Sequence, residues 1–240
     1  MSELEVVKHT RNLLQIAKKK GHWRHKAADI GLEVIIIVFA ITLSLLVERW
    51  REGQEERKLE HNFLSNLLND LKGDEAQLKT DSISYTKMSK AFKFYRQVYE
   101  KDVVLNADTA NKWVGFLYNT VGFVPANSRY EALKASGKLD VIENKNLQAD
   151  IVNLYQTSIP SLIQATDYFT NIKVKIGDFT DHNLVVTKNG SNIQQLMKQP
   201  VYYNLINKDS YVDYILGRYH TTRDQTHRII KEIESDEDNW

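Results

Sequence analysis

The chain of 240 residues has no cysteine, three prolines and ten glycines. Without cysteine there is no disulfide framework and no thiolate metal site. So few helix breakers leave long stretches free to stay helical, and the composition reads as all-α. Charge of one sign is missing too: 32 Lys and Arg stand against 31 Asp and Glu. That balance argues against the broad basic footprint of a nucleic-acid binder. A Gly-rich phosphate loop, a GxSxG elbow and a Ser/His/Asp signature are all absent, so no enzyme chemistry and no cofactor are expected. With 42% hydrophobic residues, the length suffices for one core of ordinary size.

What the sequence does have is one long apolar run. Ile30 to Val47 reads IGLEVIIIVFAITLSLLV, with Glu33 its single charge. As a helix it extends about 27 Å, close to the thickness of a bilayer's hydrocarbon core. Val34 to Phe39 are apolar all round the wheel, whereas a helix buried in a soluble protein keeps a polar face. The run follows 29 residues and ends in Val47-Glu48-Arg49-Trp50, so it predicts an uncleaved anchor over 30–50 rather than a signal peptide. Residues 1–29 carry seven basic and three acidic side chains, and residues 48–60 four basic and five acidic. Because Lys and Arg resist translocation, the N-terminus is expected in the cytoplasm and the rest outside. Trp23 and Trp50 are candidate contacts at the two interfaces. Glu33 sits about one turn inside the boundary, where interfacial pairing, a proton or ion role and a partner's transmembrane helix all remain open.

The chain then divides into a basic leader (1–29), the anchor (30–50), an extracytoplasmic helical domain (51–233) and an acidic tail (234–240). The leader resembles a basic amphipathic helix on the inner leaflet, with a solvated tail as the alternative. Phe63, Leu64, Leu67, Leu68, Leu71 and Leu78 form a stripe at helical spacing on a helix that leaves the membrane unbroken. Ser84 to Tyr99 carries a second stripe and is expected to fold back antiparallel on it. A short helix is expected over Thr109–Tyr118. Ser128 and Glu131 have the spacing of a capping box, Gly137 is placed to end that helix at positive φ, and Asn144 to cap the next. This joint should bury Leu133, Leu139, Ile142, Leu147 and Tyr155. Pro160 suits the first turn of a helix to about Phe179, and Asp209 caps a last one to about Ile233. Leu184–Thr187 is the one plausible strand, with Asn189-Gly190 its turn.

Three segments together carry a resemblance. Glu33 to Trp50 is an anchor with an early Glu and a closing Trp, and Phe63 to Leu71 is a Leu-rich juxtamembrane helix. Tyr130-Glu131-Ala132-Leu133-Lys134-Ala135-Ser136-Gly137-Lys138-Leu139, then Val141 to Leu147 and Tyr155, follow the pattern Leu-x-x-Ser-Gly-x-Leu…Ile-x-Asn-x-x-Leu…Tyr. In these the chain resembles an uncharacterised domain-of-unknown-function family of single-span inner-membrane proteins from the Bacteroidota. The chain departs from that family at Glu48-Arg49, where uncharged amides are usual, and in its longer leader. The match covers most of residues 25–157. It implies topology, a helical fold and a bacterial inner-membrane location, and it lends no activity.

His22 and His25, and separately His220, Asp224 and His227, have spacings that permit metal ligation, but each set lacks a further ligand. The cluster of Tyr202, Tyr203, Tyr211, Tyr214 and Tyr219 suits core packing or a partner surface. The expected function is an interaction protein, an accessory or scaffold subunit whose partners are the bilayer and another envelope protein or a second copy. The alternative is an extracytoplasmic ligand sensor that signals through a partner.

Overall fold

The computed structural model describes the backbone of residues 3–105 and 107–237, and the side chains of 32–105, 112–208 and 210–236. Its helices are α1 (Glu3–Glu100), α2 (Ala107–Tyr118), α3 (Ser128–Ala135), α4 (Lys145–Asn153), α5 (Ile159–Asn183), α6 (Ile193–Met197), α7 (Pro200–Ile206) and α8 (Asp209–Glu237). One antiparallel pair, β1 (Val186–Thr187) with β2 (Gly190–Ser191), sits between α5 and α6 in the chain. The fold is all-α apart from this hairpin. The chain divides into two compact units, Met1–Lys58 and Leu59–Trp240.

In the first unit every side chain from Leu32 to Trp50 is exposed. Leu32 to Val47 therefore finds no packing partner among the described residues of the unit, with Ile35 64% and Phe39 66% exposed. Among the described residues no helix is long and apolar enough to cross a membrane. The expected span begins at Ile30, which lies with the leader 1–29 outside the described side chains.

The second unit is built on three long helices. α8 runs antiparallel to α1: Glu234 meets Lys72, His227 meets Glu75, Tyr219 meets Tyr85, and Asp213 meets Ser89 and Lys93. α5 packs on both, Phe169 against Tyr85 and Phe92 of α1 and against Tyr211 of α8, and Ser158, just before it, bonds to Gln225. α2 and α7 close over α5. The core includes Leu67, Leu71, Phe92, Ile151, Leu162, Phe169, Ile215 and Ile229, all fully buried. Burying each such side chain contributes about 1.5–3 kcal/mol.

Four sequence expectations need correction. Ser84–Tyr99 does not fold back, because α1 continues through it to Glu100. Gly73 is the one glycine between Leu59 and Glu100, no proline interrupts them, and the partners of the stripe arrive from distant α5 and α8. The capping box at Ser128 and Glu131 does not form. Asn127 is the N-cap, already in the αR region and without a side-chain cap bond, so Ser128 enters the helix and Glu131 pairs with Lys134 at 3.6 Å. The expected strand over Leu184–Thr187 shortens to Val186–Thr187. Leu139, expected in the core, lies only half-buried in a 3-10 turn.

At the joint, α3 ends where Gly137 takes φ +69° and Lys138 N–H reaches back to the Leu133 carbonyl. Asn144 caps α4, its Oδ1 accepting from the Asn146 and Leu147 amides at 3.1 and 3.2 Å. α4 then runs into α5 through a π turn, Leu154–Ser158. Pro160 has no N–H to give an i−4 carbonyl, and the Ile159 amide bonds instead to the Leu154 carbonyl five residues back.

Candidate functional site

Of the residues singled out in the sequence, Glu33 and Trp50 lie exposed on the first unit, Trp50 at 69%, and Trp23 lies outside the described side chains, as do His22 and His25. Gly137 and Asn144 form the α3–α4 joint; Ser128 and Glu131 are exposed beside it. His220, Asp224 and His227 do not converge. His227 Nδ1 pairs with Glu75 at 2.9 Å and Asp224 with Arg223 at 3.5 Å, both along the groove of about 410 Å³ between α1 and α8. Its charges largely satisfy one another. Among the described residues no group of three or more His, Cys, Asp or Glu side chains is placed to hold a metal ion.

The chemistry that the sequence did not announce lies on the buried face of α1. Every seventh residue from Glu60 to Tyr95 (Glu60, Leu67, Asp74, Asp81, Met88, Tyr95) is at most 8% exposed. Three of these six are carboxylates in positions that helix geometry reserves for apolar side chains. Burial raises all three carboxyls above their ordinary range, Asp74 to about 6. Each is partly compensated: Glu60 accepts the Glu143 amide at 2.7 Å, and Asp74 accepts the Ala126 amide at 3.0 Å. Gln77 and the Tyr219 phenol ease Asp81, although Asp81 Oδ2 and the Tyr219 hydroxyl stop short of hydrogen-bond geometry. A buried carboxylate that lacks a cation costs several kcal/mol of solvation, so Asp74 is an expensive way to hold the Ala126 amide.

A fourth buried ionisable group is Lys173 on α5, 3% exposed. Its Nζ lies against Met88 Sδ at 3.1 Å and 5.2 Å from the Phe169 ring centre, and donates to the Asn119 carbonyl. No ion pair reaches it among the described residues. Burial alone lowers its ammonium to about 7.

Two of these groups, Asp74 and Lys173, meet on one segment, residues 119–127 between α2 and α3. Lys173 holds the Asn119 carbonyl, Tyr85 Oη donates to the Val121 carbonyl at 2.9 Å, Gln77 reaches the Gly122 carbonyl at 3.5 Å, and Asp74 accepts from Ala126. Phe123 plugs into the core at 4% exposure while Val124 beside it is 74% exposed. Next to the Asp74 clamp, Tyr130 and Tyr155 stack at 4.5 Å, Gln156 of the π turn donates to the Tyr130 hydroxyl at 2.7 Å, and the Tyr155 hydroxyl is buried without a partner. The arrangement holds and can release protons; it presents no nucleophile paired with a base.

On the surface between α5 and α8, Tyr168, Tyr211 and Tyr214 form a run of ring contacts at 4.8 and 5.6 Å, with Arg218 over Tyr214 at 5.2 Å. Tyr168 and Tyr214 are about half exposed, whereas Tyr202 and Tyr219 are core. The C-terminal tyrosines thus split between the core and the surface.

No family model, curated protein or solved structure matches the chain.

Proposed function

We propose that the chain is a membrane-anchored interaction protein, an accessory or scaffold subunit of a cell-envelope complex, with residues 1–29 cytoplasmic, 30–50 in the inner membrane and the helical domain in the periplasm. The observation that carries the reading is the run from Leu32 to Val47, sixteen residues with one charge and every side chain exposed. A continuous apolar surface of that extent requires a cover, and the hydrocarbon core of a bilayer supplies one along its whole length. Seven basic residues before the run against four in the flank behind it favour the inward N-terminus. A single anchor helix cannot by itself form a transport path. That leaves docking by the domain, for which the Tyr168, Tyr211, Tyr214 and Arg218 surface offers the residue types that dominate protein interfaces. Affinity purification from detergent-solubilised membranes, with mass spectrometry and sizing, tests the reading. A defined partner or self-assembly lost in Tyr214→Ala is expected; recovery of a lone monomer under several mild detergents would overturn it.

A further inference from the structure

We propose that residues Asn119–Ala126 form a strap that opens from the bundle near neutral pH and is held shut in mild acid, with Asp74 as the group that sets the response. The inference does not depend on where the domain resides.

The strap is suited to move because little holds it except side chains of other elements. Its described backbone-to-backbone bonds are local, Asn119 N–H to the Gly115 carbonyl at one end and Asn127 N–H to the Pro125 carbonyl at the other. Between them the chain is clamped by Lys173, Tyr85, Gln77 and Asp74 and anchored by Phe123. Two of the four clamps are buried ionisable groups with no ion-pair partner among the described residues, Asp74 charged at neutral pH and Lys173 about half so. A closed strap therefore keeps a carboxylate and an ammonium out of water, and opening rehydrates both.

The direction follows from proton binding. Closed, Asp74 holds its proton up to about 6; open and hydrated, it returns toward an ordinary carboxyl near 3.8. The closed form thus binds a proton more tightly, and acid favours closure. Asp70 is the like charge facing Asp74 on α1, and it is held by Arg129 from α3 at 2.8 Å. Tyr155 from the π turn faces it, its phenol raised by burial first and by the Asp74 and Asp70 charges next, and Tyr130 from α3 stacks on Tyr155. Lys173 acts in the opposite sense but higher on the scale. Below about pH 6 it is charged in both forms and adds little to the slope. Tyr85 faces Asp81 and Asp167, is raised by burial first and by those charges next, and stays a neutral donor throughout.

Amide hydrogen exchange on the full chain in detergent micelles, corrected for the intrinsic rate at each pH, reads the opening directly. At pH 6.5 the Phe123 and Ala126 amides should exchange faster than that of Leu67 in α1. Going to pH 4.5 should raise their protection about tenfold. Asp74→Asn keeps an acceptor for Ala126 without charge, so its strap should be closed at both pH values. Tyr85→Phe removes a clamp that does not titrate, so it should speed strap exchange at both pH values and leave the acid response intact. Strap amides as protected as Leu67 at pH 6.5 would overturn the proposal. So would an acid response that survives in Asp74→Asn, and if that variant does not fold, a response in Tyr85→Phe centred away from pH 6 would do the same.

Discussion

Replacing Lys173 with methionine should stabilise the protein, the reverse of what removing a buried hydrogen-bonding side chain usually does. The ammonium falls from 10.5 to about 7 under burial, which at about 1.4 kcal/mol per tenfold corresponds to about 4 kcal/mol at neutral pH. Methionine keeps the unbranched stem against Phe169 and Met88 and removes that burden. It also strands the Asn119 carbonyl, at about 1–3 kcal/mol. The net is a gain of about 1–3 kcal/mol, or a Tm rise of several degrees at about 2–4 °C per kcal/mol for a domain of this size. The pH dependence supplies a second signature. Between about 7 and 10.5 the unfolded chain holds a proton on Lys173 that the folded chain has released, so wild-type stability should rise with pH across that window. The cost is fully present below about 7. Thermal unfolding of the full chain in detergent, from pH 7 to 9.5, compares the two: the wild type should climb and Lys173→Met should stay flat. A methionine variant less stable than wild type, with the same slope, would refute the account of Lys173 as an uncompensated buried charge.

Three further outcomes follow from local geometry. Gly137→Val should lower stability by about 1–3 kcal/mol through its left-handed backbone alone, since nothing lies within 4 Å of an added Cβ; Gly137→Asn should be mild in the same melting assay. Asn144→Ala removes the acceptor for two amides of α4 and should cost about 1 kcal/mol in denaturant unfolding. Asp74→Asn should stabilise the domain at pH 7.5 and not at pH 4, because a carboxyl raised by burial favours folding when protonated and loses that contribution as pH rises through about 6.

Much of the helical order was legible because it rests on local chemistry. α2, α5 and α8 fall close to the ranges that Pro160, Asp209 and apolar spacing indicate, and Gly137 and Asn144 act through a backbone angle and a cap that depend on neighbours alone. The course of α1 was not legible. Its stripe at Phe63 to Leu78 signals burial, but sequence adjacency made Ser84–Tyr99 the expected partner when α5 and α8 take that place. The buried carboxylates were hidden among 31 acidic residues. Glu60, Asp74 and Asp81 stand out in the sequence by sharing the seventh-residue register of Leu67, Met88 and Tyr95, a signal that polar identity masks. Lys173 is similar: Phe169, Ile172 and Ile176 mark its face as core, and its charge argues the other way. The strap could not be read at all, since its four clamps come from α1 and α5, at least 34 residues away along the chain.

The proposed anchor and its orientation are the claim on which the proposed function depends, and single cysteines report both in this cysteine-free chain. With cysteine at Ser2 or at Ser235 in otherwise unchanged protein, intact spheroplasts are treated with a membrane-impermeant maleimide before and after lysis. The account predicts labelling at 235 in intact cells and at 2 only after lysis. Labelling of both, or protection of both until lysis, would contradict it.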